Sequence, residues 1–330
     1  MPQHPRGPRY TRIMAELPAT VPFVGPEAQE RARGRPFRAR IGANESVFGP
    51  SPRAIEAMRQ AAADCWMYAD PENHDLKAAL AKHHGVGFEN IVVGEGIDAL
   101  LGYTVRMLIE PGDPVVTSLG AYPTFNFHVA GFGGKLVRVP YRGDHEDPEA
   151  LLDAARREDA KLVYFANPDN PMGSWWGASE VQRLIDGLPP RTVLLLDEAY
   201  SDTAPADAIP PIDVSNPQVL RLRTFSKAYG LAGLRVGYAI GEVGLIRSFD
   251  KIRNHFGVNR MAQVAALAAL EDQPYLEGVV RKIAEARERI AAIARSNGLK
   301  ALPSATNFVA VDCGGDGAFA RRVLEELIAR

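Results

Sequence analysis

Lys227 lies in a glycine-rich segment whose residue types suit covalent chemistry on an amine. An apolar run, 219–222, precedes this segment. Thr224 and Ser226 place two hydroxyl groups just ahead of the lysine, and Arg235 follows eight residues after it. A lysine forms a Schiff base when its amine is held in place and partly desolvated, because it then loses its proton near neutral pH. Since hydroxyl groups and a fixed guanidinium suit a bound phosphate, the segment indicates a reactive lysine beside a phosphate site.

Asp197 is a second candidate, at the end of the apolar run 193–196 and just before Glu198-Ala199-Tyr200. Open α/β sheets bind ligands at the carboxyl ends of their parallel strands. A carboxylate buried there needs a cationic partner, and a protonated pyridine nitrogen would be one. Holding that nitrogen charged makes a pyridoxal ring an electron sink. The alternative is an aspartate that caps a helix after the strand, and residues 197–200 alone do not decide between the two.

Asn170 belongs to a doubled Asn-Pro loop, 167–171, that follows the apolar run 162–166. Two Asn-Pro steps favour an extended, turned loop just beyond a strand end, which aims an amide side chain into the cleft. We expect Asn170 to donate a hydrogen bond to the phenolic oxygen of such a ring, with Tyr200 as a second donor to the same atom. A plain turn is the alternative.

The stretch 92–101 has the pattern of a strand, a glycine turn and the start of a helix. Helix N-termini offer free amides and the positive end of the helix dipole, so the amides of Gly96, Ile97 and Asp98 would bind a phosphate there. A simple turn is the alternative. Tyr122 follows another apolar run, where an aromatic ring would either stack on a flat cofactor or pack in the core.

Length and composition are those of a globular enzyme. The 330 residues are enough for one large and one smaller domain. Hydrophobic residues make up 46% of the chain, and the net charge of −2 gives no reason to expect nucleic acid or an anionic membrane as a partner. No apolar run approaches the roughly 20 residues of a membrane span. Two cysteines without a CxxC pair, and histidines without metal-binding spacing, predict no metal site and a cytoplasmic location.

Short apolar runs alternate with helical patterns through the middle of the chain. Most runs are unbroken, which indicates burial on both faces and a mostly parallel sheet covered by helices. A long helix is expected over 260–296, then a short strand at 307–311 and a last helix. We predict an α/β fold with a large domain, 50–253, and a smaller α+β domain built from 1–49 and 254–330. The seven expected strands are 91–93, 115–117, 136–139, 162–166, 193–196, 219–222 and 236–240.

With the lysine, the aspartate, the paired Asn-Pro steps and the glycine turn in this order, the sequence resembles the pyridoxal-phosphate aminotransferases of class I/II. It is most similar to their histidinol-phosphate aminotransferase branch. The resemblance covers nearly the whole chain and implies fold type I, the fold of these pyridoxal-phosphate (PLP)-dependent transferases. Four further segments carry it: Val21–Pro26, Ala43–Ser46, Tyr68–Pro71 and Ser304–Phe308.

The resemblance also implies a role for each candidate residue. Lys227 would bind the cofactor covalently and move a proton between the substrate Cα and the cofactor C4′. Asp197 would pair with the pyridine nitrogen, and Tyr122 would stack on the ring. Tyr68 would reach the cofactor phosphate of a neighbouring subunit, which implies a homodimer with shared active sites. Asn170 and Tyr200 would bind the ring O3′, Ile97, Asp98, Thr224, Ser226 and Arg235 the phosphate, and Asn44 and Asn307 the substrate.

The reaction expected from this resemblance is ping-pong transfer of an amino group. The donor would be histidinol phosphate or an amino acid, such as an aromatic one, and the acceptor 2-oxoglutarate or another oxo acid. A decarboxylase or lyase on the same scaffold and a non-catalytic PLP-binding regulatory module are the alternatives. The sequence stops at Arg330, where such proteins usually continue into a strand with an arginine that binds the substrate anion. The resemblance therefore implies a short C-terminal part, or a different way of binding that anion.

Overall fold

One seven-stranded sheet positions the candidate residues. The computed structural model that shows it describes residues 7–19 and 23–330, so Val21 and Pro22 lie outside the described residues. The strands lie in the order β1-β7-β6-β5-β4-β2-β3. They are β1 (Ile91–Gly94), β2 (Pro114–Ser118), β3 (Lys135–Val139), β4 (Leu162–Ala166), β5 (Val193–Asp197), β6 (Val219–Thr224) and β7 (Gly237–Ile240).

The sheet is mostly parallel, as the unbroken apolar runs predict. Strands β3, β2, β4, β5 and β6 pair in parallel, while β7 runs antiparallel to both β6 and β1. Every residue of β4 is buried. Its Tyr164 packs in one hydrophobic cluster and its Phe165 in another, so both faces of the strand are covered.

Helices cover both faces of the sheet, and several begin at a side-chain cap, for example at Asp147 and Asn259. One sheet face packs on α5 and α6, and the other face packs on α7 and α8 beside β4. The helices are α1 (Arg12–Glu16), α2 (Pro26–Arg33), α3 (Pro52–Ala61), α4 (His74–His84), α5 (Gly96–Leu108), α6 (Pro123–Gly131), α7 (Pro148–Glu158), α8 (Ala178–Asp186), α9 (Val243–Ser248), α10 (Arg260–Leu270), α11 (Gln273–Ser296) and α12 (Gly317–Ala329).

The C-terminal part differs from the sequence prediction in two places. The helix expected over 260–296 is two helices, α10 and α11, because Pro274 has no N–H and its ring would clash with the carbonyl of Leu270, where α10 ends. The prediction of a strand at 307–311 is wrong except at its last residue. In its place the structure has two short strands that pair with each other, β8 (Lys300–Ala301) and β9 (Val311–Asp312).

Hydroxyl groups explain the missing strand. Ser304 Oγ and Thr306 Oγ1 both donate to the carbonyl of Phe308, at 2.6 and 3.1 Å, and the Phe308 N–H donates back to Thr306 Oγ1 at 3.2 Å. These local bonds take the backbone groups that a ladder would use.

In the part of the chain that the structure describes, no helix is both long and apolar enough to cross a membrane.

Candidate active site

A cavity of about 630 Å³ lies at the carboxyl ends of β4, β5 and β6. This is the edge at which the sequence placed the candidate side chains, because parallel strands end together there. Three predicted residues, Gly96, Tyr68 and Asn307, do not line it. The predicted residues that do line it are Asn44, Ile97, Asp98, Tyr122, Asn170, Asp197, Tyr200, Thr224, Ser226, Lys227 and Arg235.

Lys227 enters the cavity from the turn that follows β6. Gly230 makes this turn possible, because its φ is +71° and an added Cβ would come within 2.5 Å of the Gly49 carbonyl group. The Lys227 ammonium lies 5.4 Å from the centroid of the Tyr200 ring. Burial lowers the pKa of Lys227, and the nearby carboxylate of Asp197 only partly opposes this. The amine is therefore more easily deprotonated than a surface lysine.

Asp197 is buried at the end of β5, and its side chain lines the cavity. Its Oδ2 accepts a hydrogen bond of 2.7 Å from the Tyr164 hydroxyl, and its Oδ1 accepts one of 3.0 Å from the Ala199 N–H. Burial raises the pKa of Asp197 against these donors. Within residues 7–19 and 23–330, no lysine, arginine or histidine nitrogen lies within 4 Å of its oxygens. The site thus holds a carboxylate that still needs a cation.

The opposite end of the cavity is built to bind an anion. Helix α5 begins at Gly96 with no side-chain cap, so the first amides of the helix, including those of Ile97 and Asp98, are free for a ligand. Thr224 Oγ1 donates to Ser226 Oγ at 3.0 Å, and these two hydroxyls face the same space. Gly96, which is not itself at the cavity surface, has a φ of +82°, and an added Cβ would lie 2.6 Å from an Arg235 nitrogen. Glycine therefore lets this guanidinium approach the helix N-terminus.

Polar and aromatic groups line the walls between these two ends. Asn44 Nδ2 donates to the Tyr200 hydroxyl at 3.3 Å, and burial raises the pKa of Tyr200. Asn307 supports this contact from behind, because its Nδ2 donates to the Asn44 carbonyl at 2.8 Å. Asn170 and Tyr122 face the cavity from the Asn-Pro loop and from the start of α6. The walls therefore offer hydrogen-bond donors and one aromatic face to a flat ligand.

Tyr68 lies apart from the cavity of its own subunit. It is 79% exposed, and its ring lies 4.6 Å from that of Phe256. Its neighbour Trp66 is 81% exposed. Within one chain, these contacts do not bring Tyr68 to the predicted phosphate site.

The sequence analysis did not select Tyr164, which is the side-chain donor to Asp197. Tyr164 is fully buried and stacks on Phe125 with the ring centroids 4.6 Å apart. Its sequence signal was weak, because a tyrosine within an apolar run is also typical of a plain core strand. Phe23 and Glu45 also line the cavity without having been selected.

Comparisons with known proteins agree with this geometry. Residues 40–329 match the sequence family described as aminotransferase class I and II. The histidinol-phosphate aminotransferase of Moorella thermoacetica is 34% identical over 328 residues, which is 98% of this chain and 84% of that protein. Histidinol-phosphate aminotransferase 1 of Mesorhizobium japonicum is 36% identical over 296 residues, 87% of this chain and 80% of the relative.

A solved structure is closer still in sequence. The crystal structure of histidinol-phosphate aminotransferase from Sinorhizobium meliloti in complex with pyridoxal-5'-phosphate has 60% sequence identity and a TM-score of 0.95. The match covers 97% of this chain and 87% of that one. It confirms the predicted fold type I architecture. The chain belongs to the class I and II aminotransferase family and is an aminotransferase.

Proposed function

We propose that this aminotransferase takes its amino group from histidinol phosphate and passes it to 2-oxoglutarate in two separate half-reactions. The names of the relatives support this donor, and the Sinorhizobium meliloti protein supports it most because it shares 60% of its residues with this chain. The observation that carries the proposal is the partly buried Lys227, which faces a cavity that also holds Asp197.

The cofactor is pyridoxal phosphate, and the residues present fit it. One end of the cavity offers uncapped amides of α5 with Thr224, Ser226 and Arg235, which suit a phosphate dianion. The other end offers the buried carboxylate of Asp197, which suits a protonated ring nitrogen. When bound, the pyridoxal ring supplies an electron sink for the bond broken at the donor Cα.

The residues of this chain would then act as follows. Lys227 would hold the cofactor covalently and would serve as the acid and base that carries the proton between the donor Cα and C4′. The lowered pKa of its amine, which burial causes, favours the basic form that this role requires. Asp197 keeps the ring nitrogen protonated, and Tyr164 fixes the carboxylate by its 2.7 Å hydrogen bond.

The remaining wall residues would orient the ring and the donor. Asn170 and Tyr200 would donate to the ring O3′, and Tyr122 would stack on the ring face. Asn44 contacts the donor directly. Asn307 acts behind it, through the 2.8 Å hydrogen bond to the Asn44 carbonyl.

We also propose a homodimer in which Tyr68 completes the phosphate site of the partner subunit. Tyr68 is 79% exposed and lies beside two other exposed aromatic side chains, Trp66 and Phe256. Such an exposed apolar patch supports an interface with another subunit. Sedimentation analysis tests it, and a monomer at micromolar concentration would contradict it.

All seven sheet strands fall within 91–240, which supports a cofactor-binding domain over 50–253 and a smaller one from the described parts of 1–49 with 254–330. The two unpaired cysteines, Cys65 and Cys313, fit the reducing cytoplasm as its location.

The visible absorption spectrum of the purified protein tests the reaction. The holoenzyme is mixed in turn with histidinol phosphate, phenylalanine, tyrosine and glutamate. We expect histidinol phosphate to bleach the band of the lysine-bound cofactor, and 2-oxoglutarate to restore it. Bleaching by an aromatic amino acid alone would instead assign that donor.

Lys227→Ala provides the matched variant. We expect it to fold, because Lys227 forms no ion pair within 4 Å in the described part of the chain, and to lose all turnover. Full activity in this variant would contradict the assignment of Lys227. A cofactor band that no donor bleaches would contradict the proposed donors.

A further inference from the structure

A buried polar cluster lies behind the Asn-Pro loop, on the side away from the cavity. It consists of Ser118, Tyr141, Glu146 and Asp169, and none of the four lines the cavity. Glu146 is 1% exposed and Asp169 is 2% exposed. Two carboxyl groups so completely removed from water need an explanation, since carboxylates are almost never fully buried unless they are paired.

Glu146 bridges two strands at the point where their pairing ends. Strands β2 and β4 pair only through Val115–Val116 and Leu162–Val163. Beyond those residues, Glu146 Oε2 lies 2.5 Å from Ser118 Oγ at the end of β2. Its Oε1 accepts a 2.9 Å hydrogen bond from the Ala166 N–H at the end of β4. One side chain thus supplies the hydrogen bonds that the ladder no longer makes.

The same side chain adjoins the loop that carries Asn170. Asp169 accepts hydrogen bonds of 3.0 Å from the Tyr141 hydroxyl and of 3.0 Å from the Met172 N–H, so its carboxylate is well supplied with donors. The Trp176 indole N–H donates to the Glu146 carbonyl at 2.9 Å. Ala166, just before the loop, is thus bonded to the Glu146 side chain, and Trp176, beyond the loop, to the Glu146 backbone. Asn170 reaches the cavity from the segment between these two contacts.

No cation balances these two carboxyl groups within 7–19 and 23–330. The titratable groups that face Glu146 are Asp169 on the loop, Asp197 at the end of β5, Tyr141 after β3 and Tyr164 in β4. Burial, with the charge of Asp169 second, raises the pKa of Glu146 well above its usual range. Burial raises the pKa of Asp169 only to about 6, because its hydrogen-bond donors oppose it. Of the two carboxyl groups, Glu146 is therefore the one that burial favours more strongly in its protonated form.

We propose that Glu146 is a positioning residue of the active site, which as an uncharged acid joins the ends of β2 and β4 and holds the Asn170 loop against the cavity. This role rests on the proposed function, because Asn170 is there a donor to the cofactor. A neutral carboxylic acid can donate to Ser118 Oγ while its other oxygen accepts from Ala166. A carboxylate in the same place would put a second buried charge beside Asp169.

Three variants distinguish the effect of the charge of Glu146, the effect of its hydrogen bonds and the effect of changing a surface glutamate. Glu146→Gln keeps a neutral group that donates on one side and accepts on the other. Glu146→Ala removes the bridge and leaves the Ala166 N–H buried without a partner. Glu149→Gln is the matched control, since Glu149 lies nearby on α7 but its side chain is 84% exposed.

The first measurement is the dissociation constant of pyridoxal phosphate, titrated onto the cofactor-free protein at pH 7, together with the absorption spectrum of the bound form. We expect E146Q and E149Q to bind within about threefold of the wild type. We expect E146A to bind at least tenfold more weakly and to shift the absorption maximum, because Asn170 no longer meets the ring oxygen. If E146A does not fold, Ser118→Ala removes one end of the bridge and is expected to weaken binding in the same direction.

The second measurement needs no cofactor. Between pH 5.5 and 8.5 the thermal midpoint of the cofactor-free wild type should fall relative to that of E146Q. The reason is that a carboxyl with a raised folded pKa loses stability as pH climbs from its unfolded pKa toward the folded one. A wild-type midpoint that stays constant or rises relative to that of E146Q as the pH increases would overturn the neutral acid, as would E146Q binding as weakly as E146A. Wild-type binding by both E146A and S118A would overturn the positioning role alone, whereas a wild type that binds no pyridoxal phosphate would overturn the proposed function with it.

Discussion

Glu198, directly after Asp197, is the centre of a buried ion-pair network whose loss should be measurable as stability. Its carboxylate is 1% exposed and accepts hydrogen bonds from Arg221 Nη2 at 2.5 Å and Arg223 Nε at 2.8 Å. The Arg221 side chain is 4% exposed and that of Arg223 is 14% exposed. Glu198→Gln would leave two guanidinium groups in this place without their carboxylate.

The expected loss follows from these contacts. Removing one partner of a buried pair costs about 3–5 kcal/mol. We expect the lower end, about 3 kcal/mol, because glutamine keeps one acceptor oxygen and Arg221 also donates to the carbonyls of Pro210 and Pro211, both at 2.9 Å. For a chain of 330 residues that unfolds as one unit, this corresponds to a thermal midpoint lowered by about 4 °C.

The assay is thermal unfolding of the cofactor-free protein followed by circular dichroism. Glu56→Gln is the control, since Glu56 pairs with Arg59 on the surface, where a pair is worth about 0–1 kcal/mol. Burial alone would raise the pKa of Glu198, but Arg223 and Arg221 outweigh it and hold the pKa below the usual range. The stabilisation is therefore present above the unfolded pKa and is lost as pH falls through the folded one, so the gap between wild type and E198Q should narrow in acid. If E198Q at pH 7 is no less stable than E56Q, the reasoning is wrong.

Three further predictions concern Asp197 and the turn that carries Lys227. We expect Asp197→Asn to slow the half-reaction with an amino donor by about 10²–10³-fold in stopped-flow absorbance, as for the loss of one preorganised electrostatic partner. The same variant should raise the thermal midpoint of the cofactor-free protein, because a buried carboxyl with a raised pKa destabilises the fold above its unfolded pKa; a lower midpoint would contradict this. We expect Gly230→Ala to cost more than about 1 kcal/mol in thermal unfolding, because alanine is strained at a φ of +71° and would also meet the Gly49 carbonyl. Gly143→Ala, at a φ of +64° with open space around it, separates strain from collision, and equal losses in the two variants would rule out the collision.

The sheet could be predicted from the sequence because its signal is local. Most strands are short apolar runs whose two faces are buried, so no knowledge of the neighbouring strands is needed to recognise them, whereas the edge strand β3 is partly exposed. The candidate residues Asp197 and Asn170 could be found for the same reason, since each follows such a run directly and parallel strands end at one edge. The break between α10 and α11 was missed, although Pro274 near the start of α11 marks it in the sequence.

The polar partners behind the site could not be predicted in this way. Tyr164 is 33 residues from Asp197 in sequence, and Ser118 is 28 residues from Glu146. Their pairing depends on strand order, and strand order is set by the packing of the whole sheet rather than by any single segment. The strand expected at 307–311 failed for a related reason, since side-chain hydroxyls captured backbone groups that the apolar pattern assigned to a ladder.

Each of the charged and polar groups around the cavity is unfavourable for stability by itself, but together they complement one ligand. Asp197 is a buried carboxylate with a raised pKa, Lys227 is an amine with a lowered pKa, and α5 begins with amides that no side chain caps. Each of these features is costly by itself, and exceptions to local rules are expected at functional sites. A ligand with an anion at one end, a basic ring nitrogen at the other and an aldehyde that reacts with an amine satisfies all three at once. At one cofactor concentration, the cofactor should therefore raise the stability of this protein more than that of D197N, because the variant has already lost the charge that the cofactor neutralises.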